Sequence, residues 1–338
     1  MIRIAAAITL AAALAAPARA QAQDVASFYK GRTIAVVIGY SVGGGYDLYA
    51  RLVAEHMGKH IPGNPTLVPQ NMPGAGSLKA ANYLYSVAPK DGSVIGTFGR
   101  SMGIEPLVGT DAPYDGTKFA WLGSVTNDVS LCVSWKTSPI KTWNDMLTKE
   151  FTFGGEGSGA DPDVFTLAID NVFGAKAKLV RGYPGTNEVT LAMERGEVDG
   201  LCGLSLGTLK SRHGDWMKDG SVNVLVQAGI RKSPELPNVP FLTDLTKDPG
   251  KVRIVRFIVA GQGMARPFVA PPGIPEDRKA ALRAAFDATM TDPDFLAESQ
   301  RGDIEVNPVS GAEIDALLAE VYATPKDIIV KAAAAMAN

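Results

Sequence analysis

Two glycine-rich stretches, each set between a β-branched run and a segment of helical periodicity, constrain this chain more than any other feature. Residues 33–39 are too short and too β-branched for a helix, and they lead into Gly39-Tyr40-Ser41-Val42-Gly43-Gly44-Gly45-Tyr46-Asp47. Over residues 47–59, Leu48, Leu52, Val53 and Met57 recur at helical spacing until Ile61-Pro62-Gly63 stops them. Residues 66–69, 77–87 and 94–98 continue as strand, helix and strand. That βαβαβ order implies a parallel sheet covered by helices. The second stretch, Gly154-Gly155-Glu156-Gly157-Ser158-Gly159-Ala160-Asp161, follows a strand over 151–154 and precedes a helix over 161–173. Its unit has further strands over 129–135, 177–181, 200–202 and 222–228 and a helix over 186–195. Asp161-Pro162 reads as an N-cap followed by proline at the first helical position. Beyond a proline-rich stretch after Arg231 come a strand over 255–260 and helices over 276–290 and 311–322.

A chain of 338 residues exceeds what one hydrophobic core normally supports. The expected architecture is therefore α/β with two lobes, each a mainly parallel sheet flanked by helices. Residues 1–20 read as a secretory signal, with Arg3, an apolar run from Ile4 to Ala16 and an Ala18-Arg19-Ala20 cleavage triplet. Lobe one then takes residues 21–124 plus 250–338, and residues 125–249 form lobe two, inserted between its halves. No later segment is apolar for long enough to span a bilayer. Losing Arg3 and Arg19 leaves 31 basic against 35 acidic residues, a formal charge of −4, so nothing favours nucleic acid as a partner. Cys132 and Cys202 both fall in strand-like segments of lobe two, where a disulfide and two buried thiols are equally open readings.

The chemistry of both glycine loops suits an anion, since glycines let backbone amides converge and the next helix turns its positive end to the same point. A dinucleotide fit fails because Leu48 stands where G-x-G-x-x-G needs glycine, and no Gly-Lys-Ser/Thr ending makes a P-loop. The plain alternative is a tight βα turn that binds nothing. Asp47 reads as a helix cap, because a carboxylate there would repel an anionic guest. Two such loops on separate lobes suggest a ligand held between them. A third loop, Arg181 to Thr186, brings Tyr183 to the same side. Gly99-Arg100-Ser101-Met102-Gly103 matches the G-x-S-x-G elbow of secreted serine hydrolases, but so does Gly203-Leu204-Ser205-Leu206-Gly207. The only histidine after Ser101 with room for an intervening acid is His213, in a polar, loop-like stretch. Arg100 is then a fixed cation at a strand end, suited to a carboxylate or equally to a solvated or hinge-pairing role. His56 and His60 share a helix face without H-E-x-x-H, which reads as a solvent-facing pair; no metal or cofactor is expected.

In order along the chain, these loops resemble the receptors of tripartite tricarboxylate transporters, also called Bug or tricarboxylate-receptor proteins. Their F-x-x-G-G-x-x-D opening falls on Tyr40, Gly43, Gly44 and Asp47, and N-x-P-G-A-G is Asn71-Met72-Pro73-Gly74-Ala75-Gly76. A-x-P-D-G matches Ala88 to Gly92 with Lys90 inserted, G-x-V-D is Gly196 to Asp199, and R-S-P-x-L-P-x-V-P spans Arg231 to Pro240 with Lys232 inserted. Y-K-G resembles Tyr183-Pro184-Gly185, and A-P-x-G-x-P fits Ala270 to Pro275.

The resemblance implies a periplasmic-binding-protein-like, non-enzymatic receptor. It holds a small organic carboxylate between its lobes, closes on it and presents it to membrane transporter subunits from the periplasm. Carried over by position, Tyr40, Ser41, Gly43 and Gly44 form the first-lobe grip, and Gly157, Ser158, Gly159, Ala160, Tyr183 and Gly185 answer from the second. Gly203, Leu204 and Ser205 correspond to a segment that lines the cleft, and Tyr46, Arg100 and Ser101 complete the candidate set. Met72, Ala160 and Asp163 stand where the family usually has arginine, serine and histidine, and Gly39 replaces a usual proline. Together with the tyrosines these departures lean toward a dicarboxylate or aromatic acid over citrate. A Ser101 hydrolase, and a receptor serving another transporter or a sensor, are the rival readings.

Overall fold

The computed structural model describes residues 25–109 and 111–337; the expected export signal over residues 1–20 lies outside them. One sheet contains β1 (Thr33–Ile38), β2 (Thr66–Asn71), β3 (Val94–Thr97), β4 (Ala120–Ser124), β10 (Pro267–Ala270) and β11 (Val309–Ser310), in the order β11-β4-β10-β3-β1-β2. The other contains β5 (Ser130–Trp135), β6 (Phe151–Gly154), β7 (Ala177–Val180), β8 (Gly200–Ser205) and β9 (Val222–Ala228), in the order β7-β6-β8-β5-β9. β1 runs parallel to β2 and β3, so the segments that follow Ile38, Asn71 and Thr97 leave from one edge of the sheet. That edge, beyond the carboxyl ends of parallel strands, is where α/β folds place ligands. As expected, most strands of each sheet share one direction, but both sheets are mixed: β10 returns antiparallel between β3 and β4, and β5 lies antiparallel between β8 and β9. In each case the reversed strand is the one by which the chain enters a lobe from its neighbour.

The two crossings run side by side and form the hinge. Val125 and Asp128 donate amides to the carbonyls of Arg266 and Gln262, and the Ala265 amide returns to Thr126. Asn307 ties in through Val125 and Asn127. The helices Pro249–Val259 and Lys326–Ala335 pack on each other and against the second-lobe helix Asp161–Phe173. Their apolar faces join Phe98 and Trp121 of the first lobe to Phe153 and Phe165 of the second in one buried cluster. Cys132 and Cys202 form a disulfide between β5 and β8, which decides the reading left open by sequence.

Residues 255–260 are not a strand but the end of the helix Pro249–Val259. Its β-branched residues imitate a strand, yet Val255, Ile258 and Val259 are buried at i, i+3 and i+4 while Arg253 and Arg256 face water. Asp248 caps it, its carboxylate accepting the amides of Gly250 (2.7 Å) and Lys251 (3.3 Å), with Pro249 in the first turn. Asp161, by contrast, is not a cap: Ala160 is the N-cap of its helix, without a side-chain bond, and Asp161 turns to the other lobe. His213 lies in the helix Leu206–Lys218, not in a loop, at a residue whose φ of −139° interrupts the helical path. β4, β10, β11 and the helices Leu206–Lys218, Pro293–Arg301 and Lys326–Ala335 are not among the elements expected from sequence. Among the described residues no helix is long and apolar enough to cross a membrane.

Candidate functional site

Both glycine loops turn amides toward an anion, and in each lobe a carboxylate of the chain itself takes them. The Gly43 amide donates to Asp47 Oδ2 (2.9 Å), and Asp47 is held in turn by Arg51 and by Asn71 Nδ2 (2.9 Å). In the second lobe the amides of Glu156 (2.8 Å) and Gly157 (2.9 Å) converge on Asp163 Oδ2, which pairs with Arg181 at 2.6 Å. Asp47 is not the cap expected of it: Gly44 is the N-cap of Gly45–Met57, without a side-chain bond, and Asp47 takes the Gly43 amide from the first turn instead.

Between the lobes, Tyr40, Gly45, Tyr46, Arg100, Glu156, Asp161, Pro162, Thr186, Gly203, Leu204, Ser205, Thr208 and Arg266 enclose a cavity of about 20 Å³. Such a space holds about one water, so the lobes stand closed. Arg100 is 2% exposed, with its Nε 3.0 Å from Asp161 Oδ2 across the interface and its Nη1 donating to Gln262 Oε1 at 2.7 Å. Gln262 Nε2 (3.1 Å) and Ser130 Oγ (3.2 Å) also donate to Asp161 Oδ2, which binds the hinge into the same network. Tyr40 and Tyr46 stack at 4.7 Å, and the Tyr46 hydroxyl accepts the Arg100 amide at 3.0 Å. Glu156 is buried and accepts from Thr186 Oγ1 at 2.8 Å. Burial pushes its carboxyl up to about 8, with Asp163, Asp161 and Glu188 adding to the rise and the Thr186 hydroxyl opposing it. It is therefore mostly protonated at neutral pH.

Six of the candidates read from sequence, Tyr40, Tyr46, Arg100, Gly203, Leu204 and Ser205, line this cavity. The others sit around it. Ser41 Oγ donates to Glu188 Oε2 (2.7 Å) close to Gly185, and the carbonyl of Gly43 accepts Arg212 (2.6 Å), with Gly44 on the same rim. Gly157 and Gly76, at φ of +133° and +60°, face each other so closely that a Cβ on either would meet the other lobe's backbone at 2.8–2.9 Å. Gly159 and Ala160 pack against first-lobe residues, Ser158 is exposed, and the ring of Tyr183 approaches Gly154. A larger cleft, about 610 Å³, opens beside the hinge between Asn127, Ile230, Glu235 and Glu305, but neither glycine loop reaches it. Thr208 and Arg266 were not marked by any loop motif; they arrive at the cavity only through the packing of the lobes.

The hydrolase constellation does not assemble. Ser101 Oγ donates to the Gly159 carbonyl of the other lobe, and each histidine is engaged elsewhere. His56 pairs with Glu298 (2.9 Å), His60 with Asp292 (2.8 Å), and His213 stacks on Trp216 at 3.7 Å. His56, expected to face solvent, is 8% exposed because the helix Pro293–Arg301 covers it.

A family model described as tripartite tricarboxylate transporter family receptor matches residues 49–333. Among curated relatives, a UPF0065 protein in the gbd 5′ region of Cupriavidus necator is 27% identical over 98% of this chain and 96% of its own length. Another, from Agrobacterium vitis, is 27% identical over 80% of this chain and 75% of its own. The solved periplasmic binding protein BugD shares the fold at a TM-score of 0.72 and 19% identity, over 90% of this chain and 98% of its own. MatC from Rhodopseudomonas palustris, solved with bound malate, follows at 0.69 and 20%, over 88% and 99%. A further R. palustris protein, solved with adipate, superposes at 0.70 and 18%, over 90% and 98%. With the family model spanning most of its length, the chain belongs to the tripartite tricarboxylate transporter receptors, a family of substrate-binding proteins and not of enzymes.

Proposed function

We propose that this protein is a periplasmic receptor that closes its two lobes, residues 21–124 with 250–338 and residues 125–249, around a small organic carboxylate and delivers it to membrane transporter subunits. One observation carries the reading: a narrow cavity between the lobes, reached by a glycine loop and helix start from each, with two buried arginines on its wall. Burying an arginine is costly unless an anion meets it, so a site of this composition favours a negatively charged guest. Tyr40, Tyr46, Arg100 and Gly203 to Ser205 form its wall. Ser41, Gly43, Gly157, Gly159, Ala160 and Gly185 hold the lobes in the closed arrangement that completes it, Ser101 does the same through Gly159, and Gly44, Ser158 and Tyr183 stand on the same loops. Malate in MatC and adipate in its neighbour give the ligand class its precedent.

A thermal-shift panel of carboxylic acids tests the reading, because a ligand bound only by the folded state raises the melting temperature. At least one acid is expected to raise it in a saturable way. A flat response across dicarboxylates and aromatic acids alike would overturn the carboxylate assignment.

A further inference from the structure

The two arginines on the cavity wall are not electrostatically equivalent. Arg100 has Asp161 at 3.0 Å and Gln262 at 2.7 Å, so its charge is answered within the protein. Arg266, equally buried at 2% exposure, spends Nη1 on the carbonyl of Ala265 (2.8 Å) and Nη2 on Thr208 Oγ1 (2.8 Å). Its Nε is buried without a hydrogen-bond partner, and among the described residues no carboxylate forms an ion pair with it. The rings of Tyr46 and Tyr49 lie 4.7 and 5.1 Å from its guanidinium carbon, a cation–π contact that offsets only part of the lost hydration. Glu305, which feels Arg266 from further off, is itself pushed up by burial and by Asp128.

The surroundings of Arg266 come from both lobes. Gly45 opens the helix Gly45–Met57, and a Cβ there would stand 3.1 Å from Arg266 Nη2 and against Thr208. Thr208 lies in the first turn of Leu206–Lys218, the helix capped by Ser205. Two thirteen-residue helices, one from each lobe, begin beside this cation, but Asp47 answers the start of the first and Ser205, bonded to Asp128, that of the second, so the preference for an anion rests on Arg266 itself. On the other side of the balance, Asp161 cancels Arg100, and Glu156 adds either nothing or one negative charge. The wall therefore carries at most one net positive charge, and a guest with two carboxylates would bring a surplus negative charge into a nearly dry space.

We propose that Arg266 is the residue that takes the ligand's carboxylate, and that the cavity accommodates one such group, so that it selects small monocarboxylates over dicarboxylates. This rests on the interlobe cavity being the ligand site. The free Nε–H and the edge it shares with Nη2 offer the fork that a carboxylate fits. Ionisation of Glu156, which faces Thr186, Asp163, Asp161, Glu188 and Tyr40, removes the net positive charge, so affinity falls as pH rises through about 8.

Calorimetric titration of the mature protein at neutral pH with butyrate and benzoate, against succinate and adipate, reads the selectivity directly. The expected result is at least one monocarboxylate bound roughly tenfold or more tighter than either dicarboxylate. Arg266→Lys keeps a charge but loses Nε and the fork, and it should weaken that binding roughly ten- to hundredfold. If Arg266→Lys does not fold, raising the pH to about 9 should still weaken binding to the wild type, and Glu156→Gln should remove that dependence. A dicarboxylate binding more tightly than both monocarboxylates, full affinity in folded Arg266→Lys, or a pH response unchanged by Glu156→Gln would each overturn the proposal and leave the receptor reading standing. Binding of none of the four acids would overturn both.

Discussion

Asp47 and Asp163 occupy matching places in the two lobes, each in the first turn of a helix and paired with an arginine, Asp47 accepting one amide of the preceding glycine loop and Asp163 two. The positive helix ends are thereby answered inside each lobe, and the recognition of a guest passes to side chains. Glu156 is the residue among them whose ionisation has the clearest consequence. Its carboxyl titrates near 8 when folded and near the ordinary 4.5 when unfolded, because burial disfavours the charge. Between those values the folded protein holds a proton that the unfolded chain has released, so the stability this group contributes is highest below about 4.5, falls through the window and levels off above about 8. The slope it contributes is on the order of 1 kcal/mol per pH unit. Glu156→Gln should remove that contribution, and denaturant unfolding followed at about pH 5 and pH 8 should show a smaller loss than in the wild type. Glu105, pushed up to about 7 by burial, leaves part of the decline in place. An identical loss in wild type and variant would show that Glu156 ionises normally in the fold.

Three Asp-Pro pairs begin helices here, and they separate what an element's start says from what it hides. Asp248 and Asp292 accept the amides of the following turn, and Asp248→Ala should cost about 1 kcal/mol in equilibrium unfolding through the lost cap. Asp161 has the same local sequence but no capping bond, since it is drawn to Arg100 across the interface. Local sequence thus revealed the strand–loop–helix order of the first and second units almost to the residue, because that order is written in periodicity and glycine. It misread 255–260, where β-branched side chains cover one helix face, and it passed over Arg266, whose role depends on the meeting of two lobes and the hinge. The disulfide belongs to the same class of information, because pairing of β5 with β8 brings together cysteines 70 residues apart. Replacing both with alanine should lower stability by about 2–4 kcal/mol, read as a reduced denaturant midpoint. An unchanged midpoint, or quantitative thiol labelling of the unreduced unfolded protein, would argue against the bridge.

On the scale of the whole molecule, the closed arrangement is held by polar contacts that cross the cleft: Arg100 with Asp161, Arg212 with the Gly43 carbonyl, Ser41 with Glu188, Arg266 with Thr208. With room for only about one water between them, a guest must enter while the lobes are apart. Closure is then a two-state equilibrium that ligand and latch both bias. Asp161→Asn leaves Arg100 buried without its counter-charge, so the ligand-free variant should favour the open state and show a larger radius of gyration than the wild type. An unchanged radius in a folded variant would mean that the ion pair does not govern closure.

Small-angle scattering of the wild-type protein, with and without a saturating carboxylate that raises its melting temperature, tests capture by closure most directly. The account predicts a radius of gyration that decreases on binding, toward but not below that of the closed lobes described above. A carboxylate that stabilises the protein yet leaves its scattering curve unchanged would contradict it.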